Sequence, residues 1–129
     1  MIKDRALELV DSSGWIELAS DGPLADRFSA YLEDAGRVIT PSIVMYEVYK
    51  RLKRDASESV ADAILAHMGG TRVIAFDDQL AIQAAETSLL HGLAMADAII
   101  YATAQAYHAT LITGDADFKD LPNVLYFKK

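Results

Sequence analysis

Short apolar runs, separated by longer stretches of helical period, are the feature that most limits how this chain can fold. They fall at residues 6–10, 37–40, 72–76, 110–113 and 124–127. A brief run without alternation is buried on both faces, as a parallel strand is, and parallel strands need a helical crossover between them. The intervening stretches supply the helices. Pro23 opens one that carries Leu24, Phe28, Tyr31 and Leu32 on one face, and Gly36 follows as a stop. Pro41-Ser42 starts another, with Ile43, Val44, Glu47, Val48 and Leu52. Further helices are expected over 57–68, stopped by Gly69-Gly70, over 79–90, ended by Gly92, and over the alanine-rich 94–107. Asp11-Ser12-Ser13-Gly14 reads as a turn-forming group after the first strand. The expected fold is α/β, a central, mostly parallel sheet covered by helices on both faces, and residues 1–129 read as one domain.

Composition narrows the class. Of the 129 residues, 52% are hydrophobic, which excludes disorder, and no apolar stretch approaches the ~20 residues that span a bilayer. No membrane partner is expected. The opening Met-Ile-Lys-Asp-Arg-Ala-Leu-Glu lacks the apolar segment and cleavage site of a secretory signal. Without cysteine there is no disulfide framework, thiolate zinc site or cysteine nucleophile, and a soluble cytoplasmic protein is the simplest reading. A formal net charge of −7 argues against broad binding to a phosphate backbone. That objection weakens where the acidity is gathered around a bound cation, which reverses the local field.

The acidic residues are gathered in this way. In an open parallel sheet, ligands bind beyond the carboxyl ends of the strands. Asp11 follows the first strand directly, and Asp115 follows Leu111-Ile112-Thr113 after one glycine. Glu47 lies early in the helix after the second strand. Asp97 begins a helix whose far end feeds a strand, so its own end belongs at the same edge. Any one of them is ordinary, because Asp caps helices and populates turns. Four on one edge repel unless a proton or cation neutralises them, and clustered carboxylate oxygens suit Mg²⁺ or Mn²⁺.

These residues lie in motifs that resemble the PIN-domain nucleases, particularly the VapC-type toxins of toxin–antitoxin pairs. The motifs are Val10-Asp11-Ser12-Ser13, Pro41-Ser42-Ile43-Val44-Met45-Tyr46-Glu47-Val48, Ala96-Asp97-Ala98-Ile99-Ile100-Tyr101-Ala102-Thr103-Ala104 and Leu111-Ile112-Thr113-Gly114-Asp115-Ala116-Asp117-Phe118. The resemblance covers nearly the whole chain and departs from the family in an extended N-terminus. It implies a PIN-like three-layer sandwich and metal-dependent cleavage of RNA phosphodiester bonds. Asp11, Glu47, Asp97 and Asp115 match the family's catalytic and metal-binding acidic positions, Asp117 a more variable one. Ser12 and Thr113 match supporting hydroxyl residues. It also implies a homodimer held inactive by a small antitoxin, whose tail would cover Trp15, Tyr46 and Tyr49.

Other features carry two readings each. Lys50, Arg51 and Arg54 share a helix face with Glu47 and either contact RNA phosphates or form a solvated face, the more ordinary case. Trp15, Tyr46, Tyr49 and Tyr101 could stack bases, although aromatics at helical spacing usually fill cores. His67, His91 and His108 lack metal-ligand spacing, and no phosphate-binding glycine loop is present. The rival functions are a phospho-acceptor receiver-like signalling module and a catalytically inactive PIN-fold binding module. The receiver pattern calls for an adjacent acidic pair after the first strand and a lysine after the last. The chain has Asp11-Ser12 and Thr113-Gly114-Asp115 instead.

Overall fold

The computed structural model describes residues 6–129. The N-terminal departure from the family pattern falls mainly on the first five residues, outside the described ones. Among the described residues, five strands form one parallel sheet: β1 (Leu7–Val10), β2 (Val38–Pro41), β3 (Arg72–Ile74), β4 (Ala109–Thr113) and β5 (Val124–Tyr126), in the order β3-β2-β1-β4-β5. Every pairing is parallel, with Leu9 opposite Ile39 on one side and Leu111 on the other. The chain builds outward from β1 to β3, then crosses back to place β4 against β1. The strand order therefore reverses between β1 and β4, where ligands of open α/β sheets collect.

The described residues form six α-helices, α1 (Ser12–Ala19), α2 (Ala25–Leu32), α3 (Ser42–Asp55), α4 (Glu58–Gly69), α5 (Asp78–His91) and α6 (Met95–Ala106), with α5 packed on α6 and the others against the sheet. Consecutive strand residues point to opposite faces. Leu9 and Val10, Val38 and Ile39, and Leu111 and Ile112 are all 0% exposed, so both faces of the three inner strands are covered. Trp15, Phe28, Val44, Val48, Ile100 and Tyr101 pack into the same core. The expected architecture is the observed one.

Four local expectations are corrected. Asp11-Ser12-Ser13-Gly14 is not a free turn: Asp11 caps α1, its side chain accepting from the Gly14 N–H. An Asp before an apolar run is as good a helix start as a turn signal, and burial of Gly14, Trp15 and Glu17 decided for the helix. A Cβ on Gly14 would stand 2.5 Å from Val10 Cγ1 and 2.7 Å from Phe28 Cδ1, so only glycine lets α1 approach its neighbours this closely. Trp15 consequently points into the core, 0% exposed, with its indole N–H donating to the Val10 carbonyl at 3.1 Å. It is not a surface aromatic beside the site. Finally, β3 stops at Ile74, short of Phe76, and α2 begins at Ala25 rather than at Pro23.

Candidate metal centre

The carboxyl ends of β1 and β4 are neighbours in the sheet, so Asp11 and the residues after Thr113 emerge together. A hydroxyl network fixes them. Thr113 Oγ1 donates to Asp11 Oδ2 at 2.8 Å and accepts the Asp115 N–H at 2.9 Å, which leaves its proton one destination. Ser13 Oγ donates to Asp11 Oδ1 and accepts the Gly114 N–H at 2.9 Å. Ser12 Oγ donates to Glu47 Oε1, bridging the start of α1 to α3. Ser12 and Thr113, expected as supporting residues, each contact a candidate carboxylate. Ser13, also a hydroxyl in the first turn of α1, was not singled out as a site residue. Its signal was the Asp-x-Ser spacing at a helix start, where a second hydroxyl can reach the capping carboxylate.

A second group faces this one. Asp97 lies in the first turn of α6, where the partial positive charge of the helix end favours a carboxylate. Asp115 caps the short 3₁₀ turn Ala116–Phe118, its Oδ1 accepting the Asp117 N–H at 2.9 Å. That turn brings Asp117 back toward Asp97. Asp97, Asp115 and Asp117 each offer an oxygen, all within 4.8 Å of one another. Asp117, expected only as a supporting residue, belongs to this tight group. Asp11 and Glu47 stand beside it, near enough that both carboxylates help raise Asp97.

The electrostatics follow from the crowding. Burial pushes the Asp11 carboxyl up to about 6, against hydrogen bonds from Ser13, Thr113 and Gly14 that favour its charged form, with Asp115 adding to the rise. Burial also lifts Asp97 to about 6, followed by the charges of Asp115, Asp117, Glu47 and Asp11. Among the described residues, no lysine or arginine pairs with any of these five acids. An all-oxygen donor set, partly buried and without an internal countercharge, fits a hard divalent cation.

The other candidates separate cleanly. An open groove of about 290 Å³ beside Glu47 is lined by Ser12, Tyr46, Lys50, Arg51 and Arg54 among others, so the three cations flank the acidic set. Arg54 is held by Asp55, at 2.7 and 3.0 Å. Arg51 reaches the same carboxylate only at 3.8 Å. Tyr101 is buried, its hydroxyl donating to the Pro122 carbonyl at 2.7 Å, and Tyr49 packs partly against the core. Of the four aromatics considered for stacking, Tyr46 alone is strongly exposed, at 58%. His67 and His91 lie in the last turns of α4 and α5, and each makes an edge contact with a buried aromatic.

This fold and acidic edge define a family. The PIN domain model matches residues 9–124, and the chain belongs to the PIN domain family. Solved structures of similar fold include a toxin–antitoxin complex and a toxin. A toxin–antitoxin complex from Klebsiella pneumoniae superposes with a TM-score of 0.77 at 26% identity, covering 92% of this chain and 95% of that one. VapC20 of Mycobacterium tuberculosis, a Sarcin-Ricin loop cleaving toxin, gives 0.75 at 24% identity, over 90% of this chain and 95% of its own. DNA-bound VapBC from Salmonella typhimurium gives 0.72 at 15%, over 95% and 98%. No curated protein matches by sequence. No helix among the described residues is long and apolar enough to cross a membrane.

Proposed function

We propose that this chain is a divalent-metal-dependent endoribonuclease, the toxin of a toxin–antitoxin pair, and that Asp11, Glu47, Asp97 and Asp115 are its catalytic and metal-holding residues, joined by Asp117. The observation that carries the proposal is the convergence of these carboxylates, uncompensated by any described cation, at the switch point of a PIN fold. Mg²⁺ or Mn²⁺ bound there would lower the pKa of a water and neutralise charge on the leaving oxygen. The residues of the chain supply the rest. Thr113 and Ser13 hold Asp11 in one orientation, and Ser12 does the same for Glu47. Lys50 and Arg51 lie where they can meet phosphates beside the acidic set, while Arg54, paired with Asp55, adds to the local field.

Two partners complete the proposal. The first is a small antitoxin that places a basic side chain among the carboxylates, competing with metal by charge, as the net charge of −7 favours. With Trp15 buried, such a segment would cover Tyr46 rather than a three-aromatic patch. The second is another copy of the chain. Ile82, Leu89 and Leu90 recur at i, i+7 and i+8 on α5 and are 66%, 85% and 77% exposed, an apolar face of the kind that seeks cover. The family assignment leaves the receiver-like reading without support, and an inactive binding module becomes the contrary outcome. The test is cleavage of RNA in Mg²⁺ or Mn²⁺ with and without EDTA, beside co-expression with the product of the neighbouring gene. Cleavage that persists in EDTA defeats the metal mechanism. A chain harmless on expression and indifferent to that product defeats the toxin assignment.

A further inference from the structure

We infer that the groove beside Glu47 is a nucleotide subsite, in which Tyr46 stacks on a base next to the scissile phosphate and Arg51 grips the phosphate leading out of it. This rests on the ribonuclease reading and adds the path of the strand. The observation is that two grooves share a wall. The first holds Ser12, Ile16, Tyr46, Glu47, Lys50 and Arg51, and its 290 Å³ is about the volume at which clefts for small ligands begin. The second, about 210 Å³, holds Ser13, Ile16, Glu17, Arg51, Gly114 and Lys129. Ile16 and Arg51 line both. Each groove also contains a serine that positions a candidate carboxylate, Ser12 for Glu47 and Ser13 for Asp11. A strand crossing from one groove to the other would pass Glu47, which lines the first, and the Ser13–Gly114 contact beside Asp11 in the second.

Chemistry selects the occupant. Tyr46 is exposed in the second turn of α3, and Lys50, Arg51 and Arg54 share the groove with it. Lys50 Nζ donates to the Tyr46 hydroxyl at 3.2 Å and lies 5.4 Å from the ring centroid, so a positive charge sits at the rim of a free aromatic face. An aromatic platform flanked by cations takes a base and its phosphate. The Arg51 guanidinium is the available grip, because its contact with Asp55 is long and solvent-exposed while Arg54 occupies that carboxylate at short range. At the far end of the second groove, Lys129 is already neutralised by Glu17 at 3.1 Å, which leaves Arg51 as the cation common to both halves.

The experiment uses the full chain carrying Asp97→Asn to block cleavage, with single-stranded RNA oligonucleotides bearing 2-aminopurine at successive positions. The expected result is quenching at one position that disappears in Tyr46→Ala and persists in Tyr46→Phe. Tyr46→Ala should weaken binding about tenfold, the loss of one stacked base. Arg51→Ala should reduce the slope of log affinity against log salt by about one. Undiminished quenching and affinity in Tyr46→Ala overturn the inference, as does an effect of that variant confined to inhibition by a basic polypeptide. If the Asp97→Asn chain binds no oligonucleotide, the subsite and the RNA reading fall together. If it binds as described while the unmodified chain cleaves nothing in Mg²⁺ or Mn²⁺, the stacking site for a nucleotide stands, and its place beside a scissile phosphate falls with the ribonuclease reading.

Discussion

The two halves of the acidic edge are built differently. Asp11 and Glu47 are tied by neutral donors: Thr113 and Ser13 hold both oxygens of Asp11, and Ser12 holds Glu47. Asp97, Asp115 and Asp117 have no such side-chain donors among the described residues, and their placement comes from a helix start and a 3₁₀ turn. The first half is oriented before any cation arrives. The second is a set of like charges whose mutual repulsion a cation would relieve. A fold that oriented all five acids by hydrogen bonds would spend donors on charge that the ion is there to neutralise. One that oriented none would leave the ion without a defined geometry.

The largest effect expected from breaking this contrast is on the repelling half. Asp97→Asn or Asp115→Asn should lower RNA cleavage by at least about a hundredfold, since Asn keeps the shape and removes the charge that a hard cation requires. Circular dichroism of each variant should stay that of the parent. Retained cleavage in either would remove that residue from the site.

On the tied half, Thr113→Val should act through Asp11. Loss of its hydrogen bond is expected to cost cleavage about 10- to 100-fold, the usual range for a residue that orients a metal ligand. It should also destabilise the fold by about 1–3 kcal/mol, because Asp11 is buried and loses a partner. Equal cleavage by Thr113→Val and the parent would mean that the network orients nothing of consequence. Gly14→Ala offers a sharper structural contrast at the same strand end. The added methyl meets Val10 and Phe28, and overpacking of that kind costs about 1–3 kcal/mol. Its melting temperature should fall even though no carboxylate has been touched.

A smaller effect concerns pH in the absence of metal. The folded pKa of Asp97 is about 6, raised from 3.8 by burial and then by its acidic neighbours. A carboxyl whose folded pKa is raised holds its proton more tightly in the native state. Its contribution is therefore fully present below pH ~4 and is lost as pH rises toward and through 6. Metal-free Asp97→Asn should melt above the parent at pH 7.5, and the gap should close near pH 4. A parent that is the more stable of the two at pH 7.5 without metal would contradict the repulsion. The least effect belongs to Arg54→Ala. With its guanidinium committed to Asp55, RNA affinity should change by less than about threefold, the scale of a weak surface ion pair.

Much of this edge was legible because its carboxylates are tied to element boundaries. Asp11 and Asp115 follow strands, and Asp97 could be placed from the direction in which its helix runs into β4. The sheet was legible for the same reason, since parallel strands covered on both faces leave continuous apolar runs. What escaped has physical causes. Asp11-Ser12-Ser13-Gly14 suits a turn as well as a helix start, and the choice depended on Val10 and Phe28 filling the space beside Gly14. Trp15 was misplaced with it, because its direction is set by the helix it belongs to. The closeness of Asp117 to Asp97 was not legible, since its position depends on the Asp115 side chain closing the 3₁₀ turn. Spacing alone does not reveal which way such a turn swings. The difference between Arg51 and Arg54 lies in which of them takes the Asp55 carboxylate at short range, a matter of rotamers rather than of sequence.

The central claim is that the carboxylates at the switch point form a cation site, and Mn²⁺ binding tests it without reference to any substrate. Paramagnetic resonance of free Mn²⁺, titrated with the chain at pH 7.5, should report saturable binding that Mg²⁺ displaces. The double variant Asp97→Asn, Asp115→Asn should weaken that binding by at least about a hundredfold, as expected when two charged ligands are lost from an oxygen site. Mn²⁺ that remains free in the presence of the parent chain, or that binds the double variant equally well, would contradict the account.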